Sequence, residues 1–335
     1  MQKREWKASM LLTLAAVIWG FAFVAQRVGI QHIGSFTFTG VRFALGACSL
    51  LPLMIGKNRK ETATINGTSE NTEKTVVGTN SESMAVLKVG IIAGMILFVA
   101  ASLQQIGLEE TTAGKAAFIT GFYIILVPAL GIFLKQRTGT KTWIAAILAI
   151  AGLYLISVEE SFTVSRGDFL VFLCSFFFAA HILLINRFTK QVDTLKLSFL
   201  QYLVCSVLSL VTALFVEEIH LSGIRKAAIP ILYGGIFSVG IAYTLQVVGQ
   251  KYARASHAAI IMSLESVFAL IGGMLILQET MNWKGYVGCL FMLAGVLLSQ
   301  LQGKKKAKVN KKYYPDLEQD EILSLPAEKE QSVMK

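Results

Sequence analysis

Long apolar runs of nearly constant length recur along this chain from Ala8 to Leu301, separated by short polar stretches. Each run is close to the ~20 residues a helix needs to cross ~30 Å of hydrocarbon. The pattern places spans at about 8–28, 36–56, 85–107, 112–134, 142–158, 168–188, 196–217, 227–249, 255–277 and 283–301. No ten-residue alternation of apolar and polar positions suggests a barrel, and only a helix satisfies its own backbone in lipid. The expected fold class is therefore an all-α integral membrane protein with ten transmembrane helices. The fifth span is the shortest.

Composition supports the same class. Of 335 residues, 54% are hydrophobic and 16% charged, against roughly 45–50% and about 25% in soluble domains. The net charge of +10 could suggest a nucleic-acid partner, but Lys and Arg cluster in alternate loops and a C-terminal tail, a distribution that sets membrane orientation. One loop set holds Lys57, Arg59, Lys60, Lys135, Arg137, Lys190 and Lys251. The opposite set is richer in Glu109, Glu110, Glu217 and Glu218. With an even number of spans, both termini are expected to be cytoplasmic, in a multi-pass cell-membrane protein. The basic start (Lys3, Arg4, Lys7) lacks a convincing cleavage site and is read as leading into a retained first helix. Cys48, Cys174, Cys205 and Cys289 lie inside the runs and read as small apolar residues.

Two segments stand apart. The stretch 57–83 is polar and is expected to be a disordered cytoplasmic loop, which makes the sequon at Asn66 a chance match. After the tenth span, the lysines from Lys304 to Lys312 open a cytoplasmic tail over 302–335. They suit either anchoring of topology or attraction to anionic membrane lipid.

An internal repeat organises the rest. At an offset of 142, Leu103, Gln104 and Gly107 meet Leu245, Gln246 and Gly249, and Ala113, Ala116, Ala117, Ile119 and Gly131 meet Ala255, Ala258, Ala259, Ile261 and Gly273. At an offset of 160, Gln26-Arg27 meets Asn186-Arg187. The offsets differ by 160 − 142 = 18 residues, which the polar stretch supplies. The expected domains are one five-helix repeat over 8–158 and a second over 168–301. An odd number of spans per half would make them inverted repeats, a design that places a site between the halves near the midplane.

Ile18-Trp19-Gly20, Gly40-Val41-Arg42-Phe43 and Ser263-Leu264-Glu265-Ser266-Val267-Phe268-Ala269, followed by Gln278-Glu279, resemble the drug/metabolite transporter superfamily, EamA type. The resemblance implies ten helices, a central cavity and movement of small solutes, often outward, with amino-acid-like metabolites or drugs as the solute class. One departure is Ser266, where the family commonly has proline, so a kink there lacks its usual cause.

Glu265 lies about ten residues, or about 15 Å, into its span, so it needs a cavity, a partner or a proton. It is the candidate for proton coupling, and a structural bond between helices is the competing reading. His181 could pair with it, or pack as lone histidines commonly do. Arg42, about 10 Å from the end of span two, could attract an anionic solute or snorkel. Gln104, Tyr243 and Gln246 could hydrogen-bond solute and Trp19 and Tyr123 could wall it, or all could tie helices together. Lys115 is expected to snorkel. No phosphate-cradling loop, H-E-x-x-H or G-x-S-x-G occurs, so no cofactor, metal or catalytic residue is expected. A membrane enzyme would gather reactive groups near one surface, and a channel would show a selectivity loop or charged ring. A secondary transporter working by alternating access fits the dispersed polar groups better.

Overall fold

The computed structural model describes residues 2–65, 72–135, 138–157, 165–278 and 283–300, with side chains over 4–57, 83–135, 138–155, 165–278 and 283–299. The Asn66 sequon, the lysine cluster and the tail lie outside these residues. All regular structure among the described residues is helical: α1 Gln2–Gly29, α2 Ser35–Ile65, α3 Thr72–Gly107, α4 Ala113–Thr120, α5 Tyr123–Phe133, α6 Thr140–Ser157, α7 Arg166–Phe188 and α8 Thr194–Val216. The chain continues through α9 Leu221–Lys226, α10 Ala228–Leu232, a π-helix Tyr233–Tyr243, α11 Thr244–Gln250, α12 Ala255–Met262, α13 Glu265–Ile276 and α14 Trp283–Gln300.

Among the described residues, eight stretches are long and apolar enough to cross a membrane; Thr140–Leu155 and Trp283–Ser299 are apolar but shorter. The apolar parts of α2 and α3 end at Lys57 and begin at Ser83. Their helical backbone runs on to Ile65 and starts at Thr72, so helix extends into the polar stretch expected as loop. Local signals set several ends. Ser165 and Asp168 form a capping box at the start of α7, and the Asp193 side chain accepts from the Leu195 and Lys196 amides at the start of α8.

Small residues set the helix contacts, as expected where lipid gives apolar side chains no reason to associate. Gly20 of α1 lies against the backbone of Phe268 and Ala269 in α13. Gly40 of α2 meets Leu210 of α8, Gly94 of α3 meets Val204 of α8, and Gly152 of α6 meets Met292 of α14. The pairings recur in kind between the halves. α2 packs on α8 and α6 on α14, while α1 packs on α13 and the π-helix much as α7 packs on α4–α5 and α3.

The fourth and ninth spans are each interrupted at mid-length, at positions 142 apart. Gly121 and Phe122 have ψ of −12° and −18°, and Ser263 and Leu264 have −12° and −15°, values of a tightened 3₁₀ turn. The bonds match: Phe122 N–H to Ile119 O and Ile124 N–H to Gly121 O in one span, Leu264 N–H to Ile261 O and Ser266 N–H to Ser263 O in the other. No proline causes the second break. Instead the Ser266 hydroxyl donates across to Ala117 O at 2.9 Å and the Ser263 hydroxyl donates back to Ile260 O at 2.8 Å. The eighth span widens over its glycine-rich middle into eleven residues of π-helix, a rare geometry that concentrates at functional sites.

Candidate functional site

The interrupted and widened spans surround a cavity with about 40 Å³ of room for the centres of water molecules, enough for a few waters. α1 contributes Trp19, Phe23 and Gln26, α2 Arg42, α3 Gln104, and α4 and α5 Thr120 and Tyr123. The other half supplies Phe178 and Ile182 from α7, Ser238 and Tyr243 from the π-helix, Gln246 from α11, Met262 from α12 and Glu265 from α13. Both halves therefore build the wall.

At its centre the Tyr123 hydroxyl donates to Glu265 Oε1 at 2.9 Å. Both side chains are buried. Each begins the second half of its broken span, and the two positions are separated by the repeat offset of 142. The turn that starts a new helix at Glu265 is what turns its carboxyl toward Tyr123 rather than leaving it on a continuous helical face. A carboxyl so placed has one fixed donor and an open side toward the cavity.

Trp19 donates from Nε1 to Ser238 O at 3.2 Å, and its ring meets Tyr243 edge-on at 4.7 Å. Gln104 Nε2 donates to the Thr120 hydroxyl at 3.1 Å. Gln246 occupies the equivalent place in the other half, but Met262 stands where Thr120 would be, and Gln246 Oε1 has no donor. Gln26 Oε1 is likewise buried without a donor. Arg42 is 3% exposed, and its guanidinium lies 5.5 Å from the Phe38 ring centre and 5.4 Å from that of Phe43. That burial removes the snorkelling reading.

One expectation is corrected. His181 does not pair with Glu265. Its Nε2 lies 2.8 Å from Gln201 Oε1, and Tyr243 packs against its ring at 6.3 Å, so it backs the cavity wall without lining it. Lys115, expected to snorkel, is partly exposed, and its ammonium reaches Asp168 at 2.7 Å. Thr120, Gln26, Ser238 and the apolar lining of Phe23, Phe178, Ile182 and Met262 were not among the sequence candidates. The repeat offset was a signal for Thr120, which lies three residues before Tyr123 as Met262 lies before Glu265.

Hydrogen bonds and an ion pair link helix ends at both ends of the bundle. At one end the Glu217 carboxylate accepts from the Phe36 and Thr37 amides at 2.7 and 2.8 Å, and Arg27 donates to Leu108 O and Glu109 O. At the other, Asn186 Nδ2 donates to Gln250 O and Ala253 O at 3.1 and 2.7 Å, and Lys57 pairs with Asp193. Partial burial pushes the Asp193 carboxyl up, but the Lys57 ammonium and the Lys196 and Leu195 amides outweigh it and hold the group below the usual carboxylate range.

The sequence profile of the EamA-like transporter family matches residues 6–158 and again 165–301. The chain belongs to this family. Similar proteins include an uncharacterized transporter of Archaeoglobus fulgidus, 28% identical over 299 residues, covering 88% of this chain and 86% of the relative. The uncharacterized transporter YoaV of Bacillus subtilis is 21% identical over 88% of this chain and 96% of its own. A solved crystal structure shares the fold at a TM-score of 0.68 with 16% identity, covering 88% of this chain and 96% of that one. A multi-pass membrane transporter that takes a small-molecule solute follows from the family.

Proposed function

We propose that this EamA-type protein is a secondary transporter that exports small metabolites, amino-acid-like solutes or drugs, by alternating access around the central cavity. In this reading its ten helices are two inverted five-helix repeats, 8–158 and 168–301, in the cell membrane with both termini cytoplasmic. The observation that carries the reading is the Tyr123–Glu265 bond: equivalent positions of the two halves meet at mid-span on the wall of one cavity. Support comes also from the twofold match of the family profile and from the paired breaks at Gly121 and Ser263. The end networks recur in kind too, since Leu108 O, which Arg27 reaches, and Gln250 O, which Asn186 reaches, are 142 apart and lie at opposite ends of the bundle, although the two donors are not equivalent positions. Rocking of one half against the other would release one network while the other holds.

Glu265 is the proton-coupling residue in this proposal, because a buried carboxyl with an open side toward a cavity roomy enough for water can exchange a proton with solute or water. The test is solute uptake into proteoliposomes with an imposed proton gradient, screening amino acids and cationic drugs against empty vesicles. Saturable uptake that follows the gradient is expected, and Glu265→Gln should leave saturable uptake without gradient dependence. Gradient-driven uptake unchanged in Glu265→Gln removes the coupling role. No uptake across the panel removes the transporter reading as stated.

A further inference from the structure

Arg42 has no counter-charge among the described residues. Among the described residues no carboxylate pairs with it, no acceptor takes a hydrogen bond from it, and its Nε is buried without a partner. The rings of Phe38 and Phe43 attract its charge but offer no lone pair to its N–H donors. Glu265, the carboxyl on the same cavity wall, is engaged with Tyr123. A buried cation left in this state is costly to keep, and the space it lines is the cavity.

We infer that Arg42 is the anion-binding residue of the cavity, and that the solute is a small monocarboxylate with an apolar body. This rests on the transporter reading and narrows its solute class. One guanidinium matches one carboxylate, which its planar fork can hold through two parallel bonds. A phosphate monoester would bring a second negative charge into the space that already holds Glu265. The apolar body follows from Trp19, Phe23, Tyr243 and Met262, which share the wall with Arg42. The Gln26 and Gln246 oxygens that lack donors provide acceptors for an N–H or O–H group on the solute. Gln246 is the sharper case: its Oε1 has no donor, and Met262 also stands where Gln104 Nε2 has an acceptor in Thr120, so its amide is free to accept from and donate to a solute. The room available sets the size class at a few heavy atoms beyond the carboxylate unless the walls part.

The test uses four probes on one carbon skeleton, L-leucine, 4-methylpentanoate, 4-methylpentanamide and 4-methylpentylamine, with the full chain purified in detergent. Binding is read as thermal stabilisation and as an apparent Kd. Both carboxylates should stabilise the protein, and the amide and amine should not. Arg42→Gln should raise the Kd for the carboxylates about 30-fold or more, the usual order when one member of a buried charge pair is removed. Arg42→Lys, which keeps the charge without the fork, should fall between. Stabilisation by the amide or amine equal to that by the carboxylates overturns the inference, as does failure of both carboxylates to bind. The wild-type comparison decides this even if Arg42→Gln does not fold. Arg42-dependent carboxylate binding without uptake in proteoliposomes keeps the site and removes the transporter reading. Saturable uptake confined to the amine keeps the transporter and removes the site.

Discussion

Gly20 is the position where the smallest substitution should have the largest effect. A Cβ added there would lie 2.3 Å from Phe268 Cβ and 2.7 Å from both Ala269 N and Phe268 C. These are backbone or backbone-fixed atoms, so no rotamer change relieves the clash. Restoring a contact of about 3.4 Å requires α1 and α13 to separate by about 1 Å at this level. Overpacking of this kind costs about 1–3 kcal/mol, and replacing glycine by alanine within a helix returns at most about 1 kcal/mol. The net effect of Gly20→Ala is therefore destabilising by about 1–2 kcal/mol. Function should suffer more than stability, because Phe268 is three residues from Glu265 on the same helix. A shift of about 1 Å would stretch the 2.9 Å Tyr123–Glu265 bond beyond ordinary hydrogen-bond range. The matched control is Gly114→Ala in α4, whose added Cβ would meet only Leu270 Cδ1 at 4.0 Å and should be neutral or slightly stabilising. Thermal unfolding in detergent and uptake in proteoliposomes, run on both variants beside wild type, read the difference. If Gly20→Ala is as stable and as active as Gly114→Ala, close approach of α1 and α13 is not what holds the site.

Two further outcomes follow. Tyr123→Phe should cost about 1 kcal/mol, the low end for an orphaned buried acceptor because the cavity admits water to Glu265. That cost should shrink in a Glu265→Ala background, which has no side-chain acceptor, and an equal cost in both backgrounds would show that the bond contributes nothing. Asp193→Ala removes the cap of α8 and the partner of Lys57 and should cost about 1 kcal/mol near neutral pH. Since the native carboxyl titrates below its usual range, its contribution is present above the ordinary carboxylate pKa of about 4 and is lost as pH falls through the lower native value. Stability curves for wild type and variant should therefore converge in acid, and a gap that persists there would refute the assignment.

The span pattern was legible because lipid imposes it: a run such as Arg166–Phe188 has one stable form in a bilayer, and its length follows from hydrocarbon thickness. The cavity wall was partly legible for a related reason. Polar groups such as Gln104, Gln246 and Glu265 in apolar runs are costly, so they identify themselves. What the sequence hid were pairings across helices. Nothing in the neighbourhood of His181 names Gln201 as its partner, and Lys115 reads as a residue free to reach water until α7 brings Asp168 to it. The breaks were hidden differently. Ser263-Leu264 carries neither proline nor glycine, and the ψ change that starts a new helix at Glu265 leaves the apolar pattern intact.

The repeat offset held information about these hidden features that the residues singly did not. Tyr123 drew attention as an aromatic wall and Glu265 as a buried acid, yet they differ by 142, the offset already seen for Gln104 and Gln246. Equivalent positions in two related halves meet only where the halves face each other. In the proposed arrangement of two repeats, the bond between them would mark the interface of the halves as well as the cavity wall. The same logic explains where the symmetry is broken. Thr120 accepts from Gln104 Nε2 while Met262 offers Gln246 no such acceptor, Gln246 Oε1 has no donor, and among the described residues Arg42 has no charged partner. A scaffold that only needed to pack would gain stability by completing each of these pairs. Leaving them open on one cavity wall is what a site for a polar solute requires.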